Sequence, residues 1–247
     1  MLEGMYTAAA GMAAQQTRID AVSNDLANVD TTGYKSARVA FRDLVYDSAQ
    51  GYGAAKAVEI GAGSAATSIG RSSAQGDIQN TGRKLDVALN GPGFIQVKLA
   101  NGKTAMTRDG NLEIAPDGKL RTSNGGQLVD PAITIPQGAN ENLIDISANG
   151  TVSYQGKSLG QLKLVDVPAA AGLQGGPDNT FVTTRASGAA RAASTSTILT
   201  QGTLESSNVD EAQSMTDMIE AQRAFQMAGK AISTQDQMLE IANQVKK

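Results

Sequence analysis

The 247-residue chain contains no cysteine, no histidine and no tryptophan. Those absences remove imidazole general bases, thiol nucleophiles, disulfides and the usual zinc ligands together. Aromatic residues make up only 4% of the chain, too few to furnish a broad aromatic binding face. The net charge of -3, with Lys and Arg scattered along the chain, argues against a nucleic-acid surface. No apolar run approaches the length of a membrane span, so no membrane insertion is expected. The opening residues Met1 to Tyr6 show no basic region followed by an apolar core, so no cleaved Sec-type signal is expected either. Lack of cysteine fits a cytoplasmic protein and an exported one equally.

The remaining routes to chemistry are carboxylates and glycine-rich loops. Asp109, Asp117, Asp130 and Asp145 could in principle supply a glycosidase pair. Asp109 and Asp117, however, each precede a glycine, a pattern that predicts a turn. Gly61 to Gly63 and Gly91 to Gly93 lack the third glycine of a dinucleotide fingerprint, and neither a phosphate loop nor an EF-hand spacing is present. Asn149-Gly150-Thr151 matches a glycosylation sequon in form, but an Asn-Gly hairpin explains it better. The sequence therefore predicts no catalytic residue, no metal site and no cofactor, and a protein that is not an enzyme.

What the chain does have is a heptad pattern at each end. In the last forty residues Met218, Phe225, Ile232 and Leu239 stand seven apart, with Ala221, Ala228, Gln235 and Ala242 three residues after them. That is a narrow a/d seam on a long helix. Asn208 and Glu211 have the spacing of a capping box, and Lys246 and Lys247 suit the negative end of the helix dipole. In the first thirty residues Met5, Met12, Ile19 and Leu26 repeat the same spacing, with Ala8, Gln15, Val22 and Val29 as companions. Gly4, Ala8 and Gly11 make one side of this helix flat enough for a close neighbour. Two seams at opposite ends of one chain predict that they pair with each other or with copies in other molecules.

Between the ends the period changes. Residues 36–82 are rich in Gly, Ala and Ser and read as an extended arm or linker, with Phe41, Leu44, Val45 and Tyr46 as one short apolar cluster and Gly51 to Gly63 as a loop. From about Leu85 to Pro168 alternation predicts strands at Phe94 to Leu99, Leu143 to Ile146 and Leu162 to Val167. Asn101-Gly102, Asp109-Gly110, Asp117-Gly118, Asn124-Gly125 and Asn149-Gly150 read as tight turns between them. Residues 169–202 either close this β region or return the chain to the helices. The fold class is α+β: terminal helices paired as a coiled-coil-like domain (residues 1–35 and 204–247), an arm (36–82) and an inserted, mainly antiparallel β domain (83–203).

The stretch Ser23-Asn24-Asp25-Leu26-Ala27-Asn28-Val29-Asp30-Thr31-Thr32-Gly33-Tyr34-Lys35 closely resembles the N-terminal signature of bacterial flagellar rod and hook proteins. The runs Leu204 to Asp210, Met218 to Phe225 and Lys230 to Leu239 resemble the other end of that family, and Asp86 to Val97 and Thr107 to Leu112 carry the likeness through the middle. Val129 to Pro136 and Asp236 to Leu239 are most similar to distal-rod members, with proximal-rod members second. Asp25 departs from the family pattern, where a second Asn is usual, and the arm is shorter, over residues 47–59, than distal-rod members carry.

The resemblance implies a structural subunit of the basal-body rod, self-assembling helically into the drive shaft that carries torque from motor to hook. It implies other rod and hook subunits, surrounding ring proteins and the flagellar export apparatus as partners, and a place in the basal body within the cell envelope. It also implies family-motif roles for Asn24, Leu26, Ala27, Asn28, Thr32, Gly33, Tyr34 and Lys35, and subunit contacts at Phe41, Leu44 and Tyr46. The reading from a different class is a secreted β-rich adhesin module oligomerised by its helical ends.

Overall fold

In the computed structural model the described residues are 2–44, 46–49, 58–194 and 196–245, with backbone alone for residues 2, 3, 46–49, 58–60 and 245. Val45, the side chain of Tyr46, the loop residues 51–57 and the helix-end charges Lys246 and Lys247 lie outside the described residues. The chain forms two units: residues 1–26, 37–69 and 210–247, and residues 27–36 with 70–209.

The first unit is built on two helices, α1 (Leu2–Ala27) and α2 (Glu211–Val245). Both runs are free of proline, and 35 residues make α2 about 52 Å long. Residues early in α1 meet residues late in α2, so the helices run antiparallel. A Cβ added to Gly229 would stand 3.6 Å from Met12 Sδ, and one added to Gly4 would strike the Gln235 side chain. Farther along, Arg18 reaches Asp217 at 3.1 Å and Glu220 at 3.6 Å. These pairs are part-exposed and each contributes at most about 1 kcal/mol, which is enough to favour one register.

The start of α2 departs from the capping box expected at Asn208 and Glu211. The cap is Asp210, whose carboxylate accepts the Gln213 N–H at 3.0 Å while its carbonyl accepts the Ser214 N–H at 2.9 Å. Asn208 has other donors and acceptors to satisfy: in the second unit it accepts the Ser36 N–H at 2.8 Å and donates to the Ala74 carbonyl at 2.9 Å. Of the two glycines on the flat side of α1, Gly4 meets the facing helix closely, whereas a Cβ at Gly11 would meet nothing within 4 Å beyond its own helix among the described residues.

Four strands form a β ribbon. Strand Ala37–Asp43 pairs with Ser64–Arg71, and Tyr46–Ala49 pairs antiparallel with Val58–Gly61 in the register Tyr46 to Gly61. Asp25, the departure from the family pattern, has a use here: both carboxylate oxygens accept the Ala37 N–H, at 2.9 and 3.2 Å, where the ribbon begins.

The second unit is antiparallel β. Its largest sheet runs in the order Gln174–Gly175, Thr180–Val182, Thr104–Thr107, Phe94–Lys98, Leu128–Val129, Leu120–Thr122, Leu112–Ile114, with Leu164–Asp166 and Arg191–Ala192 branching beside Phe94–Lys98. A three-stranded meander, Ile144–Ile146, Thr151–Tyr154 and Lys157–Gln161, stands beside it, and Ile198–Gln201 pairs with Val87–Asn90. The segment 169–202 thus closes the β unit. In strand Phe94–Lys98 the polar Gln96 is buried, its amide donating to Asp130 at 2.6 Å. The strand lies between two cores: Ile95 and Val97 join Leu85, Leu89, Leu112 and Leu120 on one face, and Phe94 meets Met106, Val165 and Phe181 on the other.

Four of the five predicted turns carry their glycine at positive φ: Gly102, Gly118, Gly125 and Gly150. Asp109-Gly110 does not. A Cβ on Gly110 would collide with the Val87 carbonyl, so glycine is needed there for close backbone approach, and Asp109 is buried inside the unit.

Candidate assembly surface

Helix α2 carries large apolar residues on two sides. Along the first, Met218, Phe225, Ile232 and Leu239 are half-buried with Ala228 and Gln235, and Ala221 is fully buried. Along the second, Met215, Ile219, Met227, Met238 and Ile241 are exposed, Met227 by 67% and Ile241 by 60%. At about 100° per residue the second group stands roughly opposite the first. On α1, Met5, Met12, Ile19 and Leu26 are half-buried, Ala14 is buried and Tyr6 is 74% exposed. The heptad spacing found the inner face because that face repeats every seven residues. The outer one has gaps of four, eight, eleven and three residues and gave no such signal. In the ribbon, Phe41 is exposed and Leu44 half-buried, its N–H donating to the Gly63 carbonyl at 2.9 Å.

The family-motif residues divide between the units. Asn24 and Leu26 lie in the last turns of α1, Asn24 exposed and Leu26 half-buried. The others begin the second unit. Asn28 caps the turn after the helix, accepting the Thr31 hydroxyl at 3.2 Å on its side chain and the Thr31 N–H at 3.1 Å on its carbonyl, while Ala27 is exposed. The Thr32 hydroxyl donates to Asp109 at 2.7 Å, and Asn124 and the Asn111 N–H donate to the same carboxylate at 2.8 and 3.0 Å. Burial pushes the Asp109 pKa up from its ordinary 3.8, and these hydrogen bonds oppose the rise. Gly33 turns at φ +65 and donates its N–H to the Glu205 carbonyl at 2.7 Å; any Cβ there would press on the Arg108 backbone.

Lys35 ends the motif in a buried ion triad. Its Nζ donates to Glu205 Oε1 at 2.5 Å and to the Ala74 carbonyl at 2.7 Å, and Arg108 Nη1 donates to Glu205 Oε2 at 2.9 Å. Burial pulls the Lys35 pKa down and the nearby Arg108 charge adds to the fall, with the Glu205 carboxylate opposing both. Tyr34 is buried with the Arg71 guanidinium 4.9 Å over its ring. Sequence reasoning missed Glu205. It sits among Leu, Ser and Asn in a polar run, and nothing local marks it as the partner of two cations far away in the chain. Among the described residues no group of three or more acidic residues is placed to hold a metal, and no helix is long and apolar enough to cross a membrane.

The chain matches three family models: Flagella basal body rod protein over residues 5–35, the Flagellar hook protein FlgE/F/G D1 domain over 88–154, and the Flagellar basal body rod FlgEFG protein C-terminal region over 200–245. It is 38% identical to the flagellar basal-body rod protein FlgG of Caulobacter vibrioides, covering 99% of this chain and 100% of that protein. It is 37% identical to FlgG of Borreliella burgdorferi over the whole of both chains. The flagellar hook-basal body complex protein FlhP of Bacillus subtilis is 34% identical, again over both whole chains. With the motifs at both ends seated in the fold, and more than a third of residues identical to FlgG proteins along nearly the whole chain, the chain belongs to the flagellar basal-body rod protein family.

Proposed function

We propose that this chain is a structural subunit of the flagellar basal-body rod, of the distal-rod kind, and that it polymerises helically through its terminal helices. The observation that carries this reading is the outer side of α2: Met215, Ile219, Met227, Met238 and Ile241 are exposed there, with Arg223 and Lys230 between them, while the opposite side is half-buried within the chain. Large apolar residues left solvated on one side of a helix are what a neighbouring subunit buries. Contacts between unlike patches that do not close on themselves build a helical filament. The full-length likeness to FlgG proteins supports the distal-rod assignment over a proximal one.

In this reading helices α1 and α2 are the polymerisation domain, with Met5, Met12, Ile19, Leu26, Met218, Phe225, Ile232 and Leu239 packing them together. The arm, with Phe41, Leu44 and Tyr46, touches neighbouring subunits. The polymer transmits torque between motor and hook; other rod and hook subunits flank it, ring proteins surround it, and the flagellar export apparatus delivers it. The role is mechanical, not enzymatic.

Ile219→Glu combined with Met227→Glu tests this. The variant is expected to keep the helical content and melting temperature of the parent while losing self-assembly in sedimentation, and cells carrying it should have rods truncated before the distal portion in electron micrographs of basal bodies. Normal rods and motility in those cells would sink the reading.

A further inference from the structure

We propose that a cavity in the β unit, beside Lys35, Arg71 and Arg108, binds a compact monovalent anion. The cavity has a volume of about 60 Å³ and is walled by Phe94, Leu173 and Phe181. That is space for roughly two waters, and so for one halide or one formate-sized carboxylate.

The charges around it do not balance. Lys35 and Arg108 are buried against a single carboxylate, Glu205, whose two oxygens are both in use. Arg71 brings a third cation to the lining. Its guanidinium rests over the rings of Tyr34 and Phe181 at 4.9 and 6.0 Å and donates to the Lys35 carbonyl at 2.8 Å, with no carboxylate in ion-pair range among the described residues. Asp166, also in the lining, faces Arg191 at 3.5 Å. A surplus of buried positive charge is costly in a low-dielectric site, and a bound anion removes that cost.

Hydrogen bonding points the same way. Arg108 donates Nη1 to Glu205 and Nη2 to the Gly91 carbonyl, but its buried Nε has no acceptor among the described residues. An N–H of a guanidinium left unpaired at 5% exposure calls for an acceptor, and an anion beside the rings of Phe94 and Phe181 supplies acceptor and charge together. The cations come from residues 35, 71 and 108, so the site exists only once the β unit has folded.

The test uses the purified full chain. Thermal unfolding is followed in sodium chloride, sodium formate and sodium gluconate at matched ionic strength, gluconate being too bulky for the cavity. Chloride and formate are expected to raise the melting temperature above the gluconate value in a saturable way. The chloride NMR linewidth, broadened by the protein, should narrow on adding formate as the two compete. In Arg71→Gln, a substitution at the half-exposed edge of the cavity, binding should weaken about tenfold, equivalent to about 1.4 kcal/mol. Equal melting temperatures in chloride and gluconate for the parent chain would overturn the proposal, because water alone would then account for the cavity. Equal chloride affinity in the parent and Arg71→Gln would overturn it as well.

Discussion

Replacing Glu205 by Gln keeps the shape of the side chain and removes its charge, which isolates what the carboxylate does. In the parent, Oε1 accepts from Lys35 Nζ at 2.5 Å and from the Gly76 N–H at 3.0 Å, while Oε2 accepts from Arg108 Nη1 at 2.9 Å. An amide has one acceptor oxygen. If that oxygen faces Lys35 and Gly76, its NH2 group confronts the Arg108 guanidinium, donor against donor; the flipped amide confronts Lys35 and Gly76 instead. Either way a buried cation loses its counter-charge. Removing one member of a buried ion pair costs about 3–5 kcal/mol, and with two cations relying on one carboxylate the upper end of about 5 kcal/mol applies. For a unit of this size each kcal/mol lowers the melting temperature by roughly 2–4 °C, so Glu205→Gln should melt about 10 °C or more below the parent. The assay is thermal unfolding of the purified chain followed by the β-sheet circular dichroism signal. A second variant, Lys35→Met with Arg108→Met and Glu205→Leu, replaces the triad by apolar groups of similar length and should recover most of the loss, since an apolar substitute leaves no charge stranded. A loss under about 1 kcal/mol for Glu205→Gln, within the range of an ordinary surface substitution, would falsify the role given to the triad.

Two further outcomes are expected. Asp210→Ala removes the α2 cap and should cost about 0.5–2 kcal/mol of helix stability, read as fraying of the first turn by hydrogen exchange, whereas Glu211→Ala should leave that turn protected; the reverse ranking would restore the capping box. The pKa of Asp109 is raised by burial above its unfolded 3.8, so its contribution to stability is fully present below that value and is lost as pH rises through the folded value. The stability of the parent relative to Asp109→Asn should therefore grow as acid is added across this window, and urea titrations giving a pH-independent difference would contradict the assignment.

Much of this fold was legible because its signals are local. Seven-residue spacing marks Met218, Phe225, Ile232 and Leu239 from within one helix, and an Asn-Gly pair announces its own backbone angles. The elements that were misread depend on distant partners. Asn208 has the composition of a helix cap, but the Ser36 N–H and the Ala74 carbonyl, supplied from elsewhere in the chain, occupy its side chain. Asp109-Gly110 has the composition of a turn, but the Val87 backbone lies against the glycine and Thr32, Asn111 and Asn124 converge on the carboxylate. Alternation marks the Phe94 to Lys98 strand but not what lies on each of its faces, and a second core covers the Gln96 side. The Glu205 triad joins three positions that no sequence window spans. The outer face of α2 was hidden for another reason: its apolar residues are unevenly spaced.

The β unit's two ends, residues 33–36 and 205–208, are laced to each other. Gly33 donates to the Glu205 carbonyl, Asn208 to the Tyr34 carbonyl and Ser36 to the Asn208 side chain, with the Lys35 to Glu205 ion pair among them. Tension applied where the chain enters this unit and where it leaves is met first by that lacing, several bonds loaded side by side. The hydrophobic cores between Gly70 and Glu205 are then spared the pull, as the bowl of a spoon is spared when the handle is twisted.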